Sequence, residues 1–219
     1  MPLTMNPSNI DDFNKLQEFV RDASPAAWLE YAEELRDSAE YVWSRDENQL
    51  CIAATLDSDQ RALEGRKISI VSRTYMLLAG FALENLLKGR LVSTNPTLVN
   101  QGFLSNELKS HDIVALAEKI QGLRLSEEER RFCENAAKAV PYWGRYPVPL
   151  KKGQLSPEVG VDETLRQAFL GLFERLAHDL HWTIRDGWDS GVGPKTLKIR
   201  SVKYGDRIDP KEPLFDEPK

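Results

Sequence analysis

The spacing of hydrophobic and polar positions predicts a chain built of α-helices up to about residue 187. Apolar residues recur with the helical period in one segment after another. The predicted helices cover residues 11–22, 25 to about 63, 67–93, 111–121, 127–139 and 162–186. Capping side chains mark four of the starts: Ser24, Ser110, Ser126 with Glu129 in a capping box, and Asp162. The pattern therefore predicts an all-α helical bundle, with Gly65 as the break between its second and third helices.

The third predicted helix is apolar on nearly every side, so we expect it at the centre of the bundle. Its segment "YMLLAGFALENLLKGRLV" carries Glu84 and Lys88 four residues apart, a spacing typical of a helical ion pair. His111 and Asp112 directly follow the cap Ser110, and we interpret them as part of the N-terminal cap of the next helix.

The last predicted helix has two distinct faces. Its apolar stripe, which we expect to face the core, consists of Leu165, Phe169, Leu172, Phe173, Leu176, Leu180 and Ile184. On the opposite side lie Gly171, Arg175, His178 and Trp182. A glycine inside a helix costs about 1 kcal/mol relative to alanine, and a solvent-exposed face needs no tryptophan. We therefore predict that this second face is covered, either by a second subunit in a homodimer or by a long loop of its own chain.

The segment "PYWGRYPVP", residues 141–149, connects the last two predicted helices. Its prolines fix the backbone and its aromatic rings can seal the core, which predicts a structural lid. The alternative is an RNA-binding platform. In that case Tyr146 stacks on a base, and Arg145, Lys151 and Lys152 supply positive charge.

Residues 1–187 are predicted to form a single helical domain, and residues 188–219 a tail rich in Gly, Pro and charge. Within the tail, "TLKIRSVKY" alternates as a short strand does. Residues 195–207 are clearly basic, which is typical either of a solvated tail or of an arm that contacts nucleic acid.

The composition of the chain is that of an ordinary globular protein. It has 219 residues, a net charge of −5, 41% hydrophobic and 29% charged residues, so any nucleic-acid contact must come from a local basic patch. Cys51 and Cys133 lack metal-ligand spacing and are predicted to be reduced, packed thiols. The N-terminus has no signal-peptide pattern and no stretch is long and apolar enough for a membrane span, so we expect a cytoplasmic protein.

An ordered set of segments resembles the HEPN superfamily over roughly residues 66–186. The segments are "GFALENLLK", the His-Asp of "SHDIVALAEKI", "WGRYP", and a long terminal helix with Arg and His. The closest resemblance is to uncharacterised bacterial HEPN-like proteins that share these elements. The resemblance implies an all-helical, usually dimeric bundle, with a HEPN-like core at 66–186 preceded by N-terminal helices at 11–64.

Many members of the superfamily are RNases that need no metal and belong to toxin–antitoxin, abortive-infection or CRISPR systems. Their signature, an Arg followed by a His on a late helix, matches Arg175 and His181 in "RLAHDLH". Such a pair could move the proton of an RNA 2′-OH and stabilise the charge on the phosphorane. His178 is better aligned with Arg175, and Glu84 is a further candidate because a polar residue on this helix can face the HEPN active cleft.

The sequence departs from the active members at Leu176, where they commonly carry a small polar residue after the Arg. The alternative is a catalytically inactive HEPN-like dimer that acts as a protein-interaction or RNA/nucleotide-binding module. In that case the Arg and His side chains bond to surface acids such as Glu174 and Asp179. We expect no metal and no cofactor. The expected partners are a second copy of the chain, RNA, and a cognate antitoxin or defence-system protein, with no membrane.

Overall fold

The computed structural model describes residues 7–45, 50–59, 62–69, 72–143, 152, 160–192 and 198–199. Within these residues the chain is mostly helical, as the sequence predicts. The helices are α1 (Pro7–Asp22), α2 (Pro25–Ser44), α3 (Ser72–Thr94), α4 (Ile113–Glu118), α5 (Glu127–Lys138) and α6 (Glu163–Asp186). The strands are β1 (Leu50–Leu56), β2 (Ala62–Ser69), β3 (Trp188–Asp189) and β4 (Lys198–Ile199).

Local capping fixes the starts of three helices where the sequence predicts them. The Ser24 hydroxyl accepts a hydrogen bond from the backbone N–H of Ala27, and Pro25 occupies the first turn of α2. Ser126 and Glu129 form a reciprocal capping box at the start of α5. Asp162 accepts from the backbone N–H of Leu165 at 2.9 Å and opens α6. Each cap satisfies a backbone donor that has no partner inside its helix.

The start of α4 differs from the prediction. Asp112, not Ser110, is the N-cap, because its carboxylate accepts from the backbone N–H of Ala115 at 3.0 Å. The Ser110 hydroxyl instead accepts from the N–H of Asp112 at 3.1 Å and holds the turn before the helix. As a result α4 begins later than predicted and is shorter.

The predicted extension of the second helix to residue 63 is wrong. α2 ends at Ser44, and an antiparallel hairpin of β1 and β2 follows, with Cys51 opposite Ile68 and Ala54 opposite Gly65. The strand β1, "LCIAATL", is a short apolar run between polar segments and contains β-branched residues, which favour the extended backbone. Gly65 is therefore a paired strand residue and not a helix break, and α3 begins only at Ser72.

α3 lies at the centre of the bundle and packs against α2, α4, α5 and α6. Two glycines permit this close packing. A Cβ on Gly80 would lie 2.8 Å from Cγ2 of Val140, and a Cβ on Gly89 would lie 3.0 Å from Cβ of Trp28. Side chains at both positions would therefore force the neighbouring segments apart.

The apolar stripe of α6 faces the core as predicted, and all seven of its residues are buried. Its phenylalanines join an aromatic cluster in which Phe169 stacks on Phe132 at 5.3 Å and meets Tyr75 edge-on at 6.1 Å between ring centroids. None of the helices in the described part of the chain combines the length and apolar character needed to cross a membrane.

The chain continues past α6 along the bundle. Trp188, Ser190 and Val192 are buried, and the amide of Asn100 donates a hydrogen bond to the backbone carbonyl of Ser190 at 3.2 Å. The beginning of the predicted tail is thus packed against the helical domain, and Lys198–Ile199 pairs with Trp188–Asp189. The remainder of the basic segment at 195–207 lies outside the described residues.

Candidate functional site

Arg175, the predicted catalytic cation, is bound by its own chain. Its guanidinium donates to the carboxylate of Glu129 at 2.9 Å and to the backbone carbonyl of Arg124 at 3.3 Å. The side chain of Glu129 is 10% exposed and also completes the cap of α5. Arg175 therefore joins α6 to the start of α5, although about half of its side chain contacts solvent.

His181 is held on another side of α6. Its Nε2 lies 3.4 Å from the Glu33 carboxylate of α2, and both side chains are partly buried. Arg175 and His181 are about 120° apart around an ideal helix. The structure accordingly places them against different neighbouring helices and does not bring them together within one protomer.

His178 lies on the solvent-facing side of α6 together with Arg175. Its Nε2 accepts a hydrogen bond from the indole N–H of Trp182 at 3.0 Å, and its Nδ1 is 3.9 Å from the Asp179 carboxylate. Since Nε2 accepts, this hydrogen bond assigns the ring proton to Nδ1. Nε2 is the nitrogen that a general base would use, and here it is already engaged.

The outer face of α6 consists of Gly171, Arg175, His178 and Trp182. Trp182 is 50% exposed, so the described residues of its own chain cover only half of its side chain. A Cβ on Gly171 would have no neighbour within 4 Å, in contrast to Gly80 and Gly89. Nothing in the described protomer explains either the tryptophan or the glycine on this face.

The acids beside the outer face are paired with arginines of their own chain. Glu174 accepts from Arg36 of α2 at 3.1 Å, and Asp179 lies 3.4 Å from the guanidinium of Arg90 of α3. Arg175 and His181 contact Glu129 and Glu33 rather than the predicted Glu174 and Asp179, whereas Nδ1 of His178 does lie 3.9 Å from Asp179.

A second polar cluster surrounds Glu84. This carboxylate is almost fully buried and accepts from the buried Lys88 ammonium at 2.6 Å. Nδ1 of His111 lies 3.0 and 3.1 Å from its two oxygens. The His111 ring is half-exposed, and its Nε2 has no partner among the described residues. Lys88 also lies 6.0 Å above the ring of Trp28.

Sequence reasoning missed the role of His111. Glu84 and Lys88 were predicted as an ion pair, but His111 was interpreted only as part of a helix cap. The sequence did contain one signal, a charged pair on a helix that is apolar on nearly every side. Such a helix is buried, and a buried carboxylate needs further hydrogen-bond donors. That signal predicts a third partner without identifying it.

The predicted RNA-binding residues fall mostly outside the described residues. Lys152 is exposed, whereas Arg145, Tyr146 and Lys151 lie outside the part of the chain that the structure describes. A π-helical turn over Ala139–Trp143 continues α5 and includes the first three residues of the connector. In the described ranges, no group of three or more His, Cys, Asp or Glu side chains is arranged to hold a metal ion.

Comparison of the chain with protein-family models finds none that matches, and searches of curated proteins and of solved structures give no match either.

Proposed function

We propose that this chain is a HEPN-like helical bundle that acts as a protein-interaction module, and that two copies associate through the outer face of α6. The observation that carries this proposal is the half-exposed Trp182 in line with Gly171, above which the protomer leaves open space. Tryptophan and arginine are enriched at protein interfaces, and here Trp182 lies in line with Arg175 on the same face of α6.

The energetics favour association through Trp182. A tryptophan side chain buries on the order of 200 Å² in an interface. Covering the exposed half of Trp182 in each protomer would contribute about 2.5 kcal/mol per chain, at about 25 cal/mol per Å². Central tryptophan and arginine residues commonly dominate the affinity of protein interfaces.

The contacts of the candidate catalytic groups favour association over catalysis within one protomer. Arg175 binds Glu129, His181 lies beside Glu33, and Nε2 of His178 accepts from Trp182. Catalysis by Arg175 and His181 of the same chain would require both side chains to leave these partners and to meet across the surface of α6.

The test is the oligomeric state of three proteins, measured by sedimentation equilibrium. We expect the wild type to be dimeric and Trp182→Ala to weaken the dimer at least tenfold. Tyr31→Ala is the matched control, because Tyr31 is an exposed aromatic residue of α2. A monomeric wild type, or equal dimerisation of all three proteins, would overturn the proposal.

The second candidate function is metal-independent RNA cleavage, as in defence and toxin–antitoxin systems. The observation that favours it is the Glu84–His111 pair, in which a buried carboxylate holds Nδ1 of a half-exposed imidazole. A carboxylate that holds one ring nitrogen prepares the other for proton transfer. A cleavage assay in EDTA tests this. Loss of activity in His111→Ala would support acid–base chemistry at His111, and intact RNA with the wild type would exclude the activity.

A further inference from the structure

We infer that the two α6 helices of the dimer meet antiparallel across a two-fold axis, and that each Trp182 fills the open space above the partner's Gly171. The axis passes between the positions of residues 175 and 178. This inference rests on the dimer proposed above and adds its orientation and register.

The four residues of the outer face have the same sequence spacing whether α6 is read from its N-terminus or from its C-terminus. From Gly171 to Arg175, His178 and Trp182 the steps are four, three and four residues. A two-fold axis perpendicular to the helices reverses the order of residues in the second copy, so that position 171 meets position 182. A self-complementary contact of this kind needs no partner other than a second copy of the same chain.

The sizes of the side chains favour the antiparallel arrangement over the parallel one. Gly171, the smallest residue of the outer face, lies at its N-terminal end, whereas Trp182, the largest, lies at its C-terminal end. The Arg185 guanidinium lies 5.2 Å from the centre of the Trp182 ring, so these two form one bulky unit. An antiparallel pair sets large residues against small ones. A parallel pair would set Trp182 against Trp182 and leave a gap between the two glycines.

The charges of the two flanks are also complementary in this register. Arg175 and Asp179 lie on one flank of the outer face, and Glu174 and His178 lie on the other. The two-fold axis places each flank next to the same flank of the partner, with the order of its residues reversed. Arg175 then lies beside the partner's Asp179, and His178 beside the partner's Glu174. Glu174 already accepts from Arg36 and Asp179 forms an ion pair with Arg90, and both carboxylates have lone pairs for a further donor.

A consequence concerns the Arg and His side chains. Residues 175 and 178 each lie about 2 Å from the axis along the helix direction, at 1.5 Å per residue. The seam therefore collects the Arg175 and His178 side chains of both copies. The arginine and histidine that come together thus belong to different chains, and His181 takes no part because it faces Glu33 of α2.

Spin labels at the two ends of α6 test the register while leaving Gly171 and Trp182 intact. The variants are Thr164→Cys and Asp186→Cys, both at exposed positions, in a Cys51→Ser background in which Cys133 is buried. Electron–electron distances are measured for each labelled dimer, and for dimers formed by mixing the two labelled chains. Sedimentation equilibrium is run first on every sample.

The antiparallel register predicts about 28 Å along the helix direction between two labels at 186, and about 38 Å between two labels at 164. In mixed dimers one label at 164 and one at 186 should be within about 5 Å along that direction. The opposite pattern, with like labels close and mixed labels far apart, would overturn the register while the dimer itself stands. A monomeric protein would overturn both the register and the proposed function.

A substitution in the proposed cavity gives an independent readout. Gly171→Leu should weaken the dimer at least tenfold, because the leucine occupies the space meant for the partner's Trp182. Glu134→Leu adds the same side chain at an exposed position of α5 and serves as the control. Equal affinity of the Gly171→Leu and Glu134→Leu dimers would contradict the inference.

Discussion

The indole N–H of Trp182 donates a hydrogen bond to Nε2 of His178 at 3.0 Å, and the two rings meet nearly edge-on. This contact holds a half-exposed tryptophan in one orientation on the solvent side of α6. Because a fixed aromatic side chain loses little conformational entropy on binding, it is well suited to anchor a partner. The same contact occupies Nε2 of His178, the nitrogen that proton transfer by this particular histidine would use.

Gly171→Ala should have opposite effects on the protomer and on the dimer. Since a Cβ at position 171 meets no atom within 4 Å, alanine should raise the free energy of unfolding of the protomer by about 1 kcal/mol through helix propensity. In the dimer that we propose, the same methyl group would lie under the partner's Trp182 and should weaken association. Urea unfolding at low protein concentration and sedimentation equilibrium measure the two effects separately.

Ala168→Gly is the control for this substitution. It should lower the free energy of unfolding of the protomer by about 1 kcal/mol, because the same propensity acts in reverse. A Gly171→Ala variant that is stabilised and dimerises as tightly as the wild type would show that the face is simply solvated.

Removing only one member of the buried Glu84–Lys88 pair should strongly lower the stability of the protein. Glu84→Ala leaves the Lys88 ammonium buried without its 2.6 Å partner, and should lower the free energy of unfolding by about 3–5 kcal/mol. Glu84→Ala combined with Lys88→Met should recover most of that loss, since no unpaired charge stays buried. Guanidinium unfolding of the single and double variants measures the difference. A double variant no more stable than Glu84→Ala would contradict the ion-pair account.

His111→Ala provides the contrast at the same cluster. Its ring is half-exposed and Lys88 still satisfies Glu84, so we expect a loss of only about 1 kcal/mol. If His111→Ala is as damaging to stability as Glu84→Ala, the histidine has a structural role, which would remove the observation that favours RNA cleavage.

Glu40 of α2 bonds to one side chain of α3 and one of α6. The protein should tolerate the loss of one of these partners better than the loss of Glu40 itself. It accepts from the Tyr75 hydroxyl at 3.0 Å and from the guanidinium of Arg166 at 3.1 Å. Tyr75→Phe leaves the Arg166 contact in place and should cost about 1 kcal/mol in unfolding free energy. Glu40→Ala removes both contacts and should cost about twice as much or more. Thermal unfolding of both variants tests the order, and the reverse order would contradict it.

Cys133 should make the protein less stable as the solution becomes alkaline. Burial raises the pKa of its thiol to about 12, whereas the pKa of an unfolded cysteine is about 8.5. Between these values the unfolded chain has lost the proton and the folded chain keeps it. The contribution of Cys133 to stability is therefore constant below about pH 8 and falls above it, by up to about 1.4 kcal/mol per pH unit.

Urea unfolding between pH 8 and 10 measures this slope, and Cys133→Ala should remove the part due to the thiol. The variant will also be less stable at every pH, because it leaves a cavity in the core, so the slopes and not the absolute values are compared. Equal slopes for wild type and variant would show that Cys133 is not protected in the folded state.

The parts of the fold that local chemistry decides could be predicted from the sequence. The caps at Ser24, Ser126 and Asp162 depend on residues within one turn, and the buried stripe of α6 depends on helical period alone. β1 was missed because a short apolar run fits a helix or a strand equally well until a partner strand pairs with it. Here residues 50–56 form a strand because they pair with residues 62–69.

The contacts of the candidate site could not be predicted, because they join residues far apart in sequence. Arg175 reaches Glu129, and Glu84 reaches His111, only after the bundle has formed. A helical wheel correctly indicated that Arg175 and His181 point in different directions, but it could not show which acid each one would meet.

Sedimentation equilibrium of the wild-type protein at micromolar concentration tests the central claim most directly. The account predicts a species of twice the 24.9 kDa chain mass, and a shift of the equilibrium toward the single-chain mass in Trp182→Ala. A wild-type protein that keeps the mass of one chain as its concentration rises would contradict it.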